Sequence, residues 1–196
     1  VGLVCVAIAT QVLGDVPSVE EPASIAAPAP AARRQLGGDM VTVFQSGPLT
    51  AAVRDRTLAA AAAAGVPAVA GRGFTIGLWR VTRNGVTVKQ ASQAGWAFPM
   101  GVTALPIDAI GASMGTAVSA VVSTNELVMG TTAASVAGIQ QGDVVELWTS
   151  WGDLRAFRVG LVAPDNSVGG TEFVMTTELA SSLGYNLETR VLIYGQ

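Results

Sequence analysis

The feature that most constrains the fold of this chain is a pair of β-rich runs separated by a tight turn. Residues 74–81 and 86–90 are rich in β-branched and aromatic side chains, and Asn84-Gly85 lies between them. Asn-Gly is the strongest short-range hairpin signal, because both residues tolerate the positive φ angles of a type I′ turn. The sequence therefore predicts an antiparallel hairpin at this point.

Short strands and short helices alternate along the rest of the chain. Further strands are predicted at residues 40–44, 126–129, 142–148, 155–162, 171–175 and 189–194. Helices are predicted from Pro48 to the Gly65 stop, at 106–114, at 131–137 ending at Gly138, and from Thr177, as its cap, to 183. This mixture predicts an α+β fold, a short-stranded and partly closed β-barrel or sheet with interspersed short helices.

The first 14 residues form an apolar run that is too short to cross a bilayer, since a spanning helix needs about 20 apolar residues. We interpret it as the end of a signal anchor or transmembrane helix whose membrane-facing residues are Leu3, Val4, Val6 and Ile8. A signal-peptide remnant and a buried strand are the alternatives. Cys5 follows Val4 rather than a small residue, which favours an unmodified thiol over a lipoprotein attachment site.

A proline- and alanine-rich segment, residues 15–38, follows this run. It has no apolar period with which to build a core, and its Ala-Pro-Ala-Pro stretch favours an extended, semi-rigid spacer. We expect a helix-plus-hairpin subdomain at 39–97 and a small barrel-like α+β domain at 98–196. Whether these two parts pack as one domain or two is left open by the sequence.

The amino-acid composition excludes several kinds of catalytic site. Histidine is absent, so Ser-His-Asp triads, Cys-His pairs and histidine-ligated zinc sites are excluded. The single cysteine excludes an intramolecular disulfide. A net charge of −3 argues against a nucleic-acid partner, which a basic face would have to bind.

The remaining reactive side chains form no catalytic motif. Single carboxylates are spread along the chain, and the sequence leaves open whether two of them converge in space, as glycoside hydrolysis requires. Lys89 is the only lysine, and the residue three positions before it is Val86 rather than the serine that a Ser-Lys hydrolase needs. Asp143 and Asp165 stand at turn positions, where aspartate bonds the local backbone. We therefore predict no catalytic residues, no cofactor and no metal site.

Tryptophan is the residue type most open to a functional interpretation. Trp148 ends a predicted strand, and Trp151 and Asp153 lie in the turn after it. With Trp96 they form a candidate interaction surface, because exposed tryptophans mark protein contacts, stack on sugars or lie at membrane interfaces. Packing in the core, with the indole N–H satisfied, is the alternative for Trp148 and for Trp79.

Five short motifs in the second half of the chain carry a family resemblance. They are the runs 99–108, 128–130, 141–147, 157–162 and 169–172. Together they resemble an actinobacterial envelope domain that lies between an N-terminal membrane anchor and a zinc D-alanyl-D-alanine carboxypeptidase-like module. The motifs Gly-Asp-Val-Val-Glu-Leu and Phe-Arg-Val-Gly are also similar to extracytoplasmic domains of efflux-type ABC permeases.

The resemblance implies a single-pass membrane protein whose globular part is extracytoplasmic. Because the zinc ligands of the peptidase module are absent here, we expect the chain to stop before that module. We expect a non-catalytic module that contacts cell-wall material, such as peptidoglycan, or an envelope protein. The alternatives are the N-terminal part of a cell-wall D,D-carboxypeptidase and an accessory subunit of a large membrane complex.

Overall fold

The computed structural model describes residues 40–44, 48–92 and 97–194. The predicted anchor, including Leu3, Val4, Val6 and Ile8, and the predicted linker lie outside these residues. Within them, no helix combines the length and the apolar character needed to cross a membrane. The described chain forms two compact units, one containing residues up to Ala70 together with the C-terminal strand, and the other Gly71–Thr189.

Nine strands, five α-helices and one short 3₁₀ helix make up the described residues. The strands are β1 Met40–Phe44, β2 Ala68–Arg83, β3 Val86–Gln90, β4 Phe98–Leu105, β5 Leu127–Gly130, β6 Val144–Trp148, β7 Leu154–Ala163, β8 Phe173–Thr176 and β9 Arg190–Tyr194. The helices are α1 Ala51–Ala63, α2 Ile107–Met114, α3 Thr116–Val122, α4 Thr131–Ala137 and α5 Thr177–Ser182, with the 3₁₀ turn at Asp165–Ser167.

The first unit is a small helix-on-strand arrangement. β1 and β9 pair antiparallel along their whole lengths, and the Tyr194 N–H donates to the Pro67 carbonyl, 3.0 Å away. Ala61 of α1 is buried against Val191 and Ile193 of β9. The small alanine side chains of the helix allow this close packing on the strand pair.

The second unit is a closed, six-stranded barrel. Its strands follow the order β2-β4-β8-β5-β7-β6, and β6 pairs with β2 to close the circle. The β4–β8 and β5–β7 pairs are parallel, whereas the other barrel pairs are antiparallel. Side chains such as Ile76, Leu127 and Phe173 fill the interior and are at most 1% exposed. The predicted α+β class with a small barrel is therefore confirmed.

The barrel has two distinct ends, because β5 runs antiparallel to β8. β5 and β7 finish at one end, where α4 begins, and we call this the α4 end. β4 and β8 finish at the other end, where α5 begins, and we call this the α5 end.

The predicted hairpin is present with its turn as expected. Asn84 and Gly85 adopt φ angles of 50° and 79°, and β2 pairs antiparallel with β3 on either side of them. Backbone conformations of this kind are those of a type I′ turn. Gly138, with a φ of 70°, likewise ends α4 where the sequence predicts.

Two helix starts differ from the prediction. α1 begins at Ala51 rather than Pro48, because the Thr50 hydroxyl accepts the Val53 N–H at 3.3 Å and caps the helix there. α5 is capped by Thr176, whose hydroxyl accepts the Leu179 N–H at 3.1 Å, rather than by Thr177. In both helices the residue just before the first turn is a threonine, and its hydroxyl accepts a backbone N–H that has no partner within the helix.

Candidate binding groove

Three residues of the predicted interaction surface, Trp148, Trp151 and Asp153, lie within the described part of the chain. Trp148 is half-buried on the outer wall of the barrel, where it meets Trp79 edge to face with a ring-centroid distance of 5.9 Å. It lies opposite Gly77 of β2, and a Cβ on Gly77 would lie 3.3 Å from its Cδ1. Trp148 therefore packs against the outer wall of its own barrel.

Trp151 is exposed, with 62% of its surface open to solvent at the α5 end. Its indole lies across Gly184, where an added Cβ would be 2.9 Å from Cε2. Asp153 is held within the same turn, since it accepts the Thr149 hydroxyl at 2.5 Å and pairs with Arg155 at 3.0 Å. These bonds, the Thr149 hydroxyl first, lower the pKa of Asp153. Trp96 lies outside the described residues.

A groove of about 520 Å³ opens at the opposite, α4 end of the barrel. It runs between α4 and the first residues of β4, with the segment before β8 at one end of it. The groove is lined by Lys89, Phe98, Pro99, Met100, Thr132, Ala133, Val136, Ala137, Asp165, Gly170, Thr171 and Glu172.

Asp165 stands at the start of α4. Its Oδ1 accepts the Thr132 N–H at 3.0 Å, and its Oδ2 accepts the Thr132 hydroxyl. These bonds to Thr132, the hydroxyl first and the backbone second, lower the pKa of Asp165 below the usual range. A Cβ on Gly130 would be 2.7 Å from Oδ1, so glycine is needed for this approach.

Glu172 adds a second carboxylate close to β4. Its Oε2 accepts the N–H of Gly101, while its own N–H donates to the Gly101 carbonyl at 3.2 Å. The Thr171 hydroxyl donates to that same carbonyl at 3.2 Å. The N–H and the carbonyl of Gly101 are therefore both hydrogen-bonded to residues 171–172, which lead into β8.

Lys89 supplies a positive charge at the other end of α4. Its Nζ donates to the carbonyl of Ala137 at 3.1 Å and lies 4.5 Å from the centre of the Phe98 ring. A cation is stabilised at a helix C-terminus by the partial negative charge of the last carbonyls, and over an aromatic face by the ring quadrupole. The only lysine of the chain thus helps to fix β3, α4 and β4 together.

The middle of the groove is apolar and open. Val136 on α4 is 82% exposed and Phe98 on β4 is 38% exposed, whereas Met100 beneath them is 5% exposed. Large exposed apolar side chains that line a concave surface are typical of interaction sites.

Pro99 determines how a ligand can contact the β4 edge. Because Gly101 directs its polar groups away from β2, alternation along the strand turns the backbone of Pro99 to the same side. Proline has no N–H, so this edge offers a single carbonyl rather than a donor-acceptor ladder. The groove is therefore suited to binding side chains and poorly suited to adding a strand.

The charged side chains of the groove are hydrogen-bonded to the fold. Asp165 and Glu172 each accept N–H donors from the fold, and Lys89 donates to a helix carbonyl. In the part of the chain that the structure describes, no three acidic or cysteine side chains come together as metal ligands.

Sequence reasoning names three of the groove residues without joining them. In the sequence, Lys89 is considered only as a possible catalytic base, Asp165 only as a turn residue, and Glu172 only as part of the motif 169–172. The hydrogen bond from Thr132 to Asp165 spans 33 positions, and the groove itself depends on residues from 89 to 172. One local signal could have indicated this surface. Val136 is a large apolar residue in a short predicted helix, and the structure leaves it exposed.

No protein-family description matches this chain, and none of the curated proteins compared with it is similar to it.

Proposed function

We propose that this protein is an extracytoplasmic, membrane-tethered and non-catalytic module that binds an envelope protein through the groove at the α4 end of its barrel. The tether is the apolar run at residues 1–14, followed by the Pro/Ala spacer. Cell-wall material is the second class of partner, and exposed Trp151 at the α5 end favours it because indole rings stack on sugars.

The observation that carries the proposal is the contrast between polar and apolar groups in the groove. Lys89, Asp165 and Glu172 are engaged in bonds that hold the fold together. Val136 and Phe98 remain open to solvent. A site built to bind a protein needs apolar anchors with a polar rim, and this groove has both.

One labelling experiment tests the location and the groove together. Cys5 is replaced by serine, and a new cysteine is introduced by Val136→Cys in the groove or by Leu187→Cys at a control position that is 65% exposed. A membrane-impermeant maleimide is then added to intact cells that naturally make the protein, and to the purified variants.

We expect Leu187→Cys to react in intact cells and Val136→Cys to react at least several-fold more slowly there. After purification, when no partner occupies the groove, both should react at similar rates. Failure of both variants to react until the cells are lysed would contradict the extracytoplasmic location. Equal rates in intact cells would contradict an occupied groove.

A further inference from the structure

We propose that the groove binds an extended polypeptide segment with a basic residue at one end, an acidic residue at the other and an apolar side chain between them. This inference rests on the function proposed above and specifies the chemistry of the partner.

The charges of the groove are separated along both of its walls. On the helix wall, Asp165 binds Thr132 and Lys89 binds Ala137, five residues further on. At 1.5 Å per residue these anchor points lie about 7.5 Å apart along the axis of α4. The groove thus has an acidic end and a basic end.

The strand wall has the same polarity. Glu172 is bound at Gly101, and Lys89 lies over Phe98, three residues earlier in β4. Three strand residues span about 10 Å. Both carboxylates therefore lie at one end of the groove, and the ammonium group lies at the other.

These charges keep the capacity to bind a ligand. Within the described residues, Lys89, Asp165 and Glu172 form no ion pair with an opposite charge. An ammonium group has three donors and a carboxylate can accept about four hydrogen bonds, so the contacts to the fold leave further positions for a partner.

The size of the groove sets the length of the segment. In an extended chain, residues i, i+2 and i+4 face the same side and span about 13 Å. A lysine and a glutamate at i and i+4, leaning inward, reach the two charged ends and place residue i+2 against Val136 and Phe98. Because Pro99 offers no N–H, side chains carry the recognition, and the segment can bind in either chain direction.

Four blocked pentapeptides carrying the same uncharged dye test this inference against the 196-residue chain by fluorescence anisotropy. The probe is Lys-Ala-Leu-Ala-Glu. The controls are Lys-Ala-Leu-Ala-Lys, Glu-Ala-Leu-Ala-Glu and Lys-Ala-Ser-Ala-Glu. We expect the probe to bind at least about fivefold more tightly than each control, since each control loses one favourable charge contact or the apolar contact.

Two substitutions test whether the named charges are responsible. Lys89→Gln should remove the advantage of the probe over the Lys/Lys peptide. Glu172→Gln keeps an oxygen for the Gly101 N–H and should weaken binding of the probe about threefold or more. Leu187→Gln, at the α5 end, should change neither the affinity for the probe nor its advantage over the Lys/Lys peptide.

Binding of all four peptides with affinities within about twofold of one another, or an unchanged order in Lys89→Gln, would overturn the inference. So would an absence of binding by every peptide. In that case protection of Val136→Cys in cells would still support a groove partner, so the failure of the segment chemistry is distinguishable from the failure of the proposed function.

Discussion

Arg83 holds Asp143 by two hydrogen bonds, with Nε 2.9 Å from Oδ1 and Nη2 2.8 Å from Oδ2. Asp143 is 2% exposed, and its Oδ2 also accepts the Gln140 N–H at 2.8 Å. Arg83 Nη2 reaches the Gly138 carbonyl as well, at 3.0 Å. This pair ties the end of β2 to the turn between α4 and β6, and it supports the helix wall of the groove.

Asp143→Asn should therefore destabilise the fold. The substitution keeps one acceptor but removes the charge and one bond to the guanidinium, and hydrogen bonds to charged groups contribute about 1.5–3 kcal/mol each. We expect a loss of about 2 kcal/mol in the free energy of unfolding, measured by urea denaturation. Glu178→Gln, at an exposed carboxylate, serves as the control and should change the value by less than about 0.5 kcal/mol. Equal stability of both variants would contradict the structural role of the pair.

The same pair makes stability depend on pH. The bond to Arg83, with the Gln140 N–H as a further contributor, lowers the pKa of Asp143 in the folded state, although burial opposes this. A carboxyl with a depressed pKa binds a proton more weakly when folded than when unfolded. Its stabilisation is present above the unfolded pKa of about 3.9 and is lost as the pH falls through the lower folded value.

The difference in unfolding free energy between the wild type and Asp143→Asn should thus be widest above about pH 5 and narrow below about pH 4. Urea denaturation at a series of pH values measures it. The asparagine side chain of this variant does not titrate. Any pH dependence that remains in its unfolding free energy therefore comes from other groups, among them Asp153 and Asp165, whose pKa values are also lowered. A difference that stays constant down to about pH 3 would be inconsistent with this account.

Trp148 and Trp151 should differ sharply in their contribution to stability. Trp148 packs against Trp79 on the barrel wall, whereas Trp151 is 62% exposed. Truncating a buried Trp to Ala costs about 3–5 kcal/mol, so a half-buried one should cost about 2 kcal/mol. We expect Trp148→Ala to lower the free energy of unfolding by about that amount and Trp151→Ala by less than about 1 kcal/mol. The reverse order in thermal or urea denaturation would show that the two environments are assigned wrongly.

Gly160 marks the place where α3 crosses the outer wall of the barrel. An added Cβ would lie 2.5 Å from Val121 Cγ1 and still closer to the Glu126 carboxylate. Gly160→Ala should therefore cost about 1–3 kcal/mol through overpacking. Gly111→Ala is the matched control, because its Cβ would meet Ser119 at an ordinary 3.6 Å inside helix α2. This control should stabilise the protein by about 0.5–1 kcal/mol, as Gly to Ala does in a helix. A stabilising effect at both positions, measured by denaturation, would contradict the close packing of α3.

Local signals predict much of the fold. The Asn84-Gly85 turn and the Gly138 helix stop depend only on the backbone freedom of the residues involved, and both are present. The strand β4 is not among the predicted strands, since Pro99 and Gly101 normally interrupt strands. Here Pro99 faces the free edge, and Glu172 satisfies Gly101.

The helix α3 and the groove could not be predicted for a different reason. α3 contains Val118, Val121 and Val122, β-branched residues that favour strands, and burial against the barrel overrides this preference. The groove depends on contacts such as Lys89 with Ala137, 48 positions apart, and Gly101 with Glu172, 71 apart. Hydrophobic periodicity and turn residues carry no information about pairs so far apart in sequence.

Photo-crosslinking in cells that naturally make the protein tests the central claim most directly. A photoreactive phenylalanine analogue is placed at position 136 in the groove, or at position 187 as the control at the opposite end. We expect a discrete adduct with one protein from position 136, which is absent from position 187 and strongly reduced when Phe98→Ser is added. Equal adducts from both positions, or from position 136 only a polydisperse adduct with cell-wall glycan, would contradict it.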